Sequence, residues 1–418
     1  MITFVTLGLA IGIVIGHYIG ATVPLWACYV AILGALGCLA LSYKLRRFGI
    51  TALILACATV GNLVMTLDMR SGRTDDVHAY YINKEEKGMA EQRHALAEKF
   101  RQSGALHDDE YAIVTAMTLG DKQNISRELK QTYSISGASH VFALSGLHVG
   151  ILFALLMFLL PSTRYPRISA IIATTTLWGY VALIGAQPSL LRATGMLTCY
   201  AFCIVISHET DMLSKLCLAA TIMLLVRPQW VFDISFQMSF AAVFGIATCY
   251  QPLCEPFIVT KDDRKRHPLI VRIKKIEFWL WSLTMLSFSA QLFTLPLIVH
   301  YFGRISVYSL LANLIVSPLA TFIVGFAMLT LALAFLASPL PYIGSALSFM
   351  EYPMHWSATI LYHLTHYMNT ALTNIAALPG SHIDGLQVSV AQTICLYVII
   401  LACVYYFRDF CPWTRVKD

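Results

Sequence analysis

The sequence predicts an all-α fold, a polytopic transmembrane helical bundle of about 12 membrane-spanning or broken helices with interfacial amphipathic helices beside it. Three observations predict it. Of 418 residues, 57% are apolar and 12% charged, with a mean hydropathy of +0.67. A soluble chain of this size would lack the polar surface it needs. Apolar runs long enough to cross about 30 Å of hydrocarbon recur along the chain. The basic residues between them fall on alternate connections, as the orientation rule for short loops requires.

The runs lie near residues 2–21, 23–43, 48–67, 139–160, 167–186, 189–207, 212–227, 233–251, 277–300, 305–336, 342–368 and 388–407. Lys44, Arg46 and Arg47 follow the second run, and Arg164 and Arg167 the fourth. "KDDRKRHPLIVRIKK", with Lys261, Arg264, Lys265, Arg266, Arg272, Lys274 and Lys275, follows the eighth. All face the cytoplasm if both termini do. The opening helix has no basic front and no good cleavage site, so it reads as retained and not as a signal peptide. Three segments follow: 1–67, N-terminal transmembrane helices; 68–138, an external or interfacial helical connector; and 139–418, a transmembrane domain.

The connector lacks the alternating pattern of strands. Asp108 or Asp109 can cap a helix through "EYAIVTAMTL" that Gly120 ends. Beyond it, Ile125, Leu129 and Tyr133 recur at helical spacing between charges, the pattern of a helix in the interface. In the first run, Gly8, Gly12, Gly16 and Gly20 line one helix face, which either an internal neighbour or a second subunit of a homodimer can fill. The cysteines form no metal-ligand spacing and read as small core residues.

Polar side chains at membrane depth are costly and usually face the bundle interior or a wet cavity. In "GASHVFALSGLHVGIL" (137–152), His140 and His148 lie on one line flanked by Ser145, and Gly137, Gly146 and Gly150 allow close packing or breaks. In "IGAQPSLLRATG", Pro188 starts a helix that carries Arg192 into the bilayer. Arg192 needs an anion there: Asp233, one turn from Gln237, or the phosphates of something passing through. Asn313 and Pro318 sit in a run too long for one straight span, which predicts a broken helix facing a cavity. Glu351, His355, Thr359, His363 and His366 form a polar stripe. No nucleotide or zinc-protease motif is present, and no catalytic residue, cofactor or metal is assigned.

"AMTLGDKQNISRELKQTYSISGASHVFALSGLHVGIL" (116–152) resembles the ComEC family of competence-type inner-membrane DNA channels. "GAQPSLLRATGM" (185–196), "RPQWVFDISFQMSFAAVFGI" (227–246) and "AQLFTLPLIVHYFGRISVYSLLANLIVSPLATFIV" (290–324) follow in the same order. The resemblance covers roughly residues 100–340. It implies a multi-pass channel of the bacterial inner membrane, not an enzyme, that passes single-stranded DNA into the cytoplasm during natural transformation. An external DNA receptor, a cytoplasmic ATP-driven motor and membrane lipid are its implied partners. Many members carry an oligonucleotide-binding β-barrel and a C-terminal metallo-β-lactamase-like domain, and neither is read here. A strand of anions with aromatic faces suits a path offering His140, Ser145, His148, Arg192, Asp233, Gln237 and Asn313. A proton-coupled transporter of a small anionic solute is the alternative that Arg192, Asp233 and the histidines suggest. A metalloenzyme using His140 and His148, or His363 and His366, is a third.

Overall fold

The computed structural model describes residues 2–19, 49–70, 93–98, 100–101, 106–142, 146–185, 187–206, 211–255, 268–337 and 348–410. The described chain is helical almost throughout. Four helices are long and apolar enough to cross a membrane, over Pro166–Ile184, Pro188–Val205, Leu269–Phe302 and Ser309–Leu333. Shorter apolar helices lie at Ile2–Tyr18, Leu53–Met69, Gly146–Leu159, Met212–Val226 and Val390–Tyr406. The run at 23–43 lies outside the described residues. The chain divides into two compact units, one of residues 1–88, 161–176 and 191–240, the other of 89–160, 177–190 and 241–418.

In the first unit, α1 (Ile2–Ile19) lies against α2 (Gly49–Arg70). The small-residue face sets how close they come. A methyl group at Gly8 would press on the carbonyl of Ile54, one at Gly12 would sit on that of Ala58, and one at Gly16 would crowd Asn62. From the other side, Gly61 meets the Leu9 carbonyl. Close backbone approach gains dispersion contacts that lipid tails cannot match. Of the two occupants open for the face of Gly8, Gly12 and Gly16, the internal neighbour α2 is the one that lies against it, and Gly20 lies outside the described residues. Leu9, Ile13, Met65, Met223, Leu224 and Phe236 close the core beneath. α1 also bonds α8 (Met212–Val226), where the Thr6 hydroxyl donates to the Cys217 carbonyl at 3.0 Å and lies 2.8 Å from that of Thr221. Asp211 caps α8, and the Ser214 hydroxyl and N–H hold its carboxyl below the usual carboxylate range.

The second unit is built around α3 (Asp108–Leu119). Asp108, Asp109 and Glu110 occupy its first turn, where the helix dipole favours negative charge, but neither aspartate caps it; His107 holds the N-cap position without a side-chain bond. Gly120 ends it in the left-handed conformation (φ 69°), donating its N–H to Ala116. Every residue from Glu110 to Leu119 is buried, so this helix is central and not interfacial. Its composition allows this. The segment has no charged residue after Glu110, and Thr115 and Thr118 satisfy their hydroxyls on the carbonyls of Tyr111 and Val114.

α4 (Arg127–Ser136) has the expected one-sided character: Leu129 and Tyr133 are buried, and Arg127 and Lys130 face outward. Ser126 caps its start, accepting from Leu129 N–H, and Gly137 ends it at φ 83° with no room for a side chain against Ser306 and Ser309. Around α3 and α4 pack α12 (Ser309–Ala337), through Ala312, Val316, Ala320 and Ile323, and α13 (Ser348–Ala376), through Leu361, Met368 and Leu372.

α12 runs unbroken through Pro318, which corrects the expected broken helix. A proline removes one backbone bond, and in a long apolar helix held by α13 the remaining bonds suffice. A feature absent from the sequence reading is an antiparallel pair of short strands, β1 (Arg304–Ser306) with β2 (His382–Asp384). α11 (Pro268–Phe302) has 35 residues, about 52 Å at 1.5 Å per residue, longer than the hydrocarbon is thick. Arg272, Lys274 and Lys275 thus sit on its first turns and not in a loop, while Lys261, Arg264, Lys265 and Arg266 lie outside the described residues.

Candidate functional site

Two polar constellations occupy the units. Pro188 opens α7 (Pro188–Val205), and one turn on, in the first unit, Arg192 is 1% exposed. Its Nη1 donates to Asp233 Oδ2 at 3.1 Å. Asp233 stands just before α9 (Ile234–Gly245) and accepts the N–H groups of Ser235 and Phe236, both at 3.2 Å. The helix start therefore holds the carboxylate in place, and the carboxylate holds the arginine. The Gln237 amide donates to the Val231 carbonyl at 2.9 Å, folding the turn at Pro228–Phe232 against α9. Phe236 and Phe240 stack with centroids 4.3 Å apart.

The geometry gives Arg192 more donors than Asp233 can use. Its Nε is buried with no hydrogen-bond partner among the described residues, as is the Thr194 hydroxyl. Asp233 is partly exposed, with 38% of its side chain accessible. A buried cation held by one accessible carboxylate, with a donor to spare, can take a second anion. The expected pairing of Arg192 with Asp233 is thus present, with Gln237 one turn further along.

In the second unit, His140 is exposed on a short 3-10 turn, Ser139–Phe142, and His148 is buried in the first turn of α5 (Gly146–Leu159). Ser145 lies outside the described residues. The two imidazoles do not share one α-helical face as their spacing suggested, because His140 lies on the 3-10 turn and not on an α-helix. Among the described residues, a side chain at Gly150 would meet nothing within 4 Å, so the close packing expected there is not found among them. Gly146 is exposed. Asn313, on α12, has a buried Oδ1 without a hydrogen-bond partner among the described residues.

The sequence reading missed a polar girdle in this unit. Arg304 donates from Nη1 to Ser134 at 2.9 Å and from Nη2 to Asp384 at 3.2 Å. Ser306 donates to the Ile135 carbonyl at 2.8 Å, and Ser309 to Gln291 Oε1 at 3.1 Å. Gln291 lies in an apolar run, so the criterion that found Arg192 would have found it too. His366 Nδ1 meets Glu110 Oε1 at 2.9 Å and stacks on Tyr362. The Tyr133 hydroxyl donates to Asn369 at 2.6 Å; burial, then Asp109 and Glu110, push its phenol above the ordinary range. The stripe of α13 therefore engages α3 and α4 through His366 and Asn369, while the Glu351 side chain lies outside the described residues.

These two constellations sit inside a stretch that comparison with known proteins covers. Residues 117–410 match the family described as Competence protein, and the chain belongs to that family. It is 30% identical over 237 residues to ComE operon protein 3 of Bacillus subtilis, covering 55% of this chain and 28% of that protein. It is 31% identical over 156 residues to an uncharacterized protein of Aquifex aeolicus, 37% of each chain. Recombination protein 2 of Haemophilus influenzae is 23% identical over 220 residues, 50% of this chain and 27% of that protein. The chain thus spans well under half the length of these relatives. No solved structure matches it.

Proposed function

We propose that the chain passes single-stranded DNA across the bacterial inner membrane during natural transformation, as a multi-pass channel with both termini cytoplasmic. Membership of the competence family over 117–410 carries this reading. The relatives from Bacillus subtilis and Haemophilus influenzae, named ComE operon protein 3 and Recombination protein 2, agree with it.

The chemistry agrees. A strand in transit needs cations for its phosphates that do not hold it fast. Arg192 is already neutralised by Asp233, so a passing phosphate competes for a cation and does not fall into a deep trap. His148 and Asn313 are polar side chains set in the second unit. An external receptor delivers the strand and a cytoplasmic ATP-driven motor draws it in, with anionic lipid against the basic start of α11. The chain itself acts as a conduit, without cofactor or catalytic residue.

Uptake of labelled DNA, measured in a strain dependent on this chain, is expected to fall at least roughly tenfold for Arg192→Ala and for His148→Ala, with protein levels unchanged. Wild-type uptake by both variants would overturn the reading. The pair of Arg192 and Asp233 also favours a second one, a proton-coupled transporter of a small anion. It predicts pH-dependent solute flux in liposomes and no effect on DNA.

A further inference from the structure

The turn that ends α3 forms one side of a cleft that neither constellation uses. Gly120, Asp121, Lys122 and Gln123 line it with Arg93 and His94, enclosing about 320 Å³. Both walls are anchored. Gly120 and Asp121 donate their N–H groups back to Ala116 and Thr115 of the fully buried α3. The helical residues 93–98 are held by Ala97, fully buried in the core.

Of the six lining residues, Arg93 and Lys122 are cations and Asp121 is the one carboxylate. Asp121 uses Oδ1 to accept the Gln123 N–H at 3.1 Å, bracing its own turn. None of the lining side chains is apolar. In this cleft a phosphate finds Arg93 and Lys122, and a base edge finds Asp121 and Gln123. The volume is that of a small-molecule site and too small for a folded partner.

Building on the proposed DNA transport, we infer that this cleft binds one phosphate and base of a DNA single strand, as a contact site separate from the Arg192 constellation. Arg93 and Lys122 hold the phosphodiester. Asp121 and Gln123 meet the base.

The test is binding of a short fluorescein-labelled oligothymidylate to the full chain in nanodiscs of neutral lipid, followed by anisotropy across a salt series. The double variant Arg93→Gln, Lys122→Gln is expected to bind at least about tenfold more weakly. Its plot of log affinity against log salt should be shallower by about 0.7, the value for one neutralised phosphate on a single strand. Arg93→Lys with Lys122→Arg restores binding if charge is what matters, and it controls for a fold lost in the neutral pair. Unchanged affinity and slope in a folded neutral variant overturn the cleft and leave the transport reading standing. Loss of affinity for phosphatidylglycerol vesicles alone, with oligonucleotide binding intact, also overturns it. A wild-type chain that binds no strand, with DNA uptake unaffected by its deletion, removes both.

Discussion

Asparagine in place of Asp233 is expected to destabilise the folded chain by about 2–3 kcal/mol, more than methionine in place of Arg192. The asymmetry follows from where each charge sits. Arg192 is 1% exposed, so without its acceptor a cation stays in the apolar bundle with nothing to neutralise it. Asp233 keeps 38% of its side chain accessible, so without arginine it turns to water, a milder loss. Asparagine is chosen because its one amide oxygen can still accept one of the two N–H groups that Asp233 accepts at the start of α9, so part of the cap is kept while the charge is removed. The double variant Arg192→Met, Asp233→Asn should recover more than half of the single loss, because neither charge is then stranded. Unfolding in detergent checks it. A greater loss in Arg192→Met, or strict additivity, would show that the pair does not hold Arg192 as described. The same balance bears on function, since a cation this costly to bury persists best where an anion has use for it.

Valine at Gly12 is expected to destabilise the first unit by about 2–3 kcal/mol, while alanine at Gly150 is neutral or stabilises by up to about 0.8 kcal/mol. Both are membrane-helix glycines in a four-residue repeat, and pattern alone would rank them together. Their surroundings differ. Any side chain at Gly12 lands on the backbone carbonyl of Ala58, which cannot rotate away, so α1 and α2 must part along their length. At Gly150 the space is open, and alanine only removes the conformational freedom of glycine. Thermal unfolding of the two variants side by side reads the contrast. Equal loss at both positions would mean that the spacing of small residues, and not the contact, sets the effect.

The contrast shows what the sequence made legible. Helix ends were readable where one residue forces the backbone, as at Gly120, Gly137 and Pro188, because those signals are local. The pairing of Arg192 with Asp233 was readable because a buried cation has few candidate partners. Helix continuity through Pro318 was not, since it depends on neighbours that hold the helix straight. Nor was the place of α3. Its threonines look polar in sequence, yet each satisfies its hydroxyl on its own helix and can be buried on every side. His140 and His148 misled for the opposite reason. Eight residues apart, they would share a face only on one continuous α-helix, and His140 sits on a 3-10 turn instead. The strand pair at Arg304 and Asp384 joins residues 80 apart, with three residues on each side and no alternating pattern to announce it.

The central claim, that DNA passes along these polar constellations, is tested most directly by arresting a strand in transit. A labelled single strand with photoreactive bases and a bulky block at its trailing end is supplied to cells that depend on this chain. It is then irradiated, and the adducts are mapped by mass spectrometry. The account predicts adducts around Arg192 on α7 and around His148 at the start of α5. It predicts none at Val398 and Ile399, exposed apolar residues of α14 (Val390–Phe410). Efficient entry of the strand with adducts absent from both α7 and α5 would contradict it.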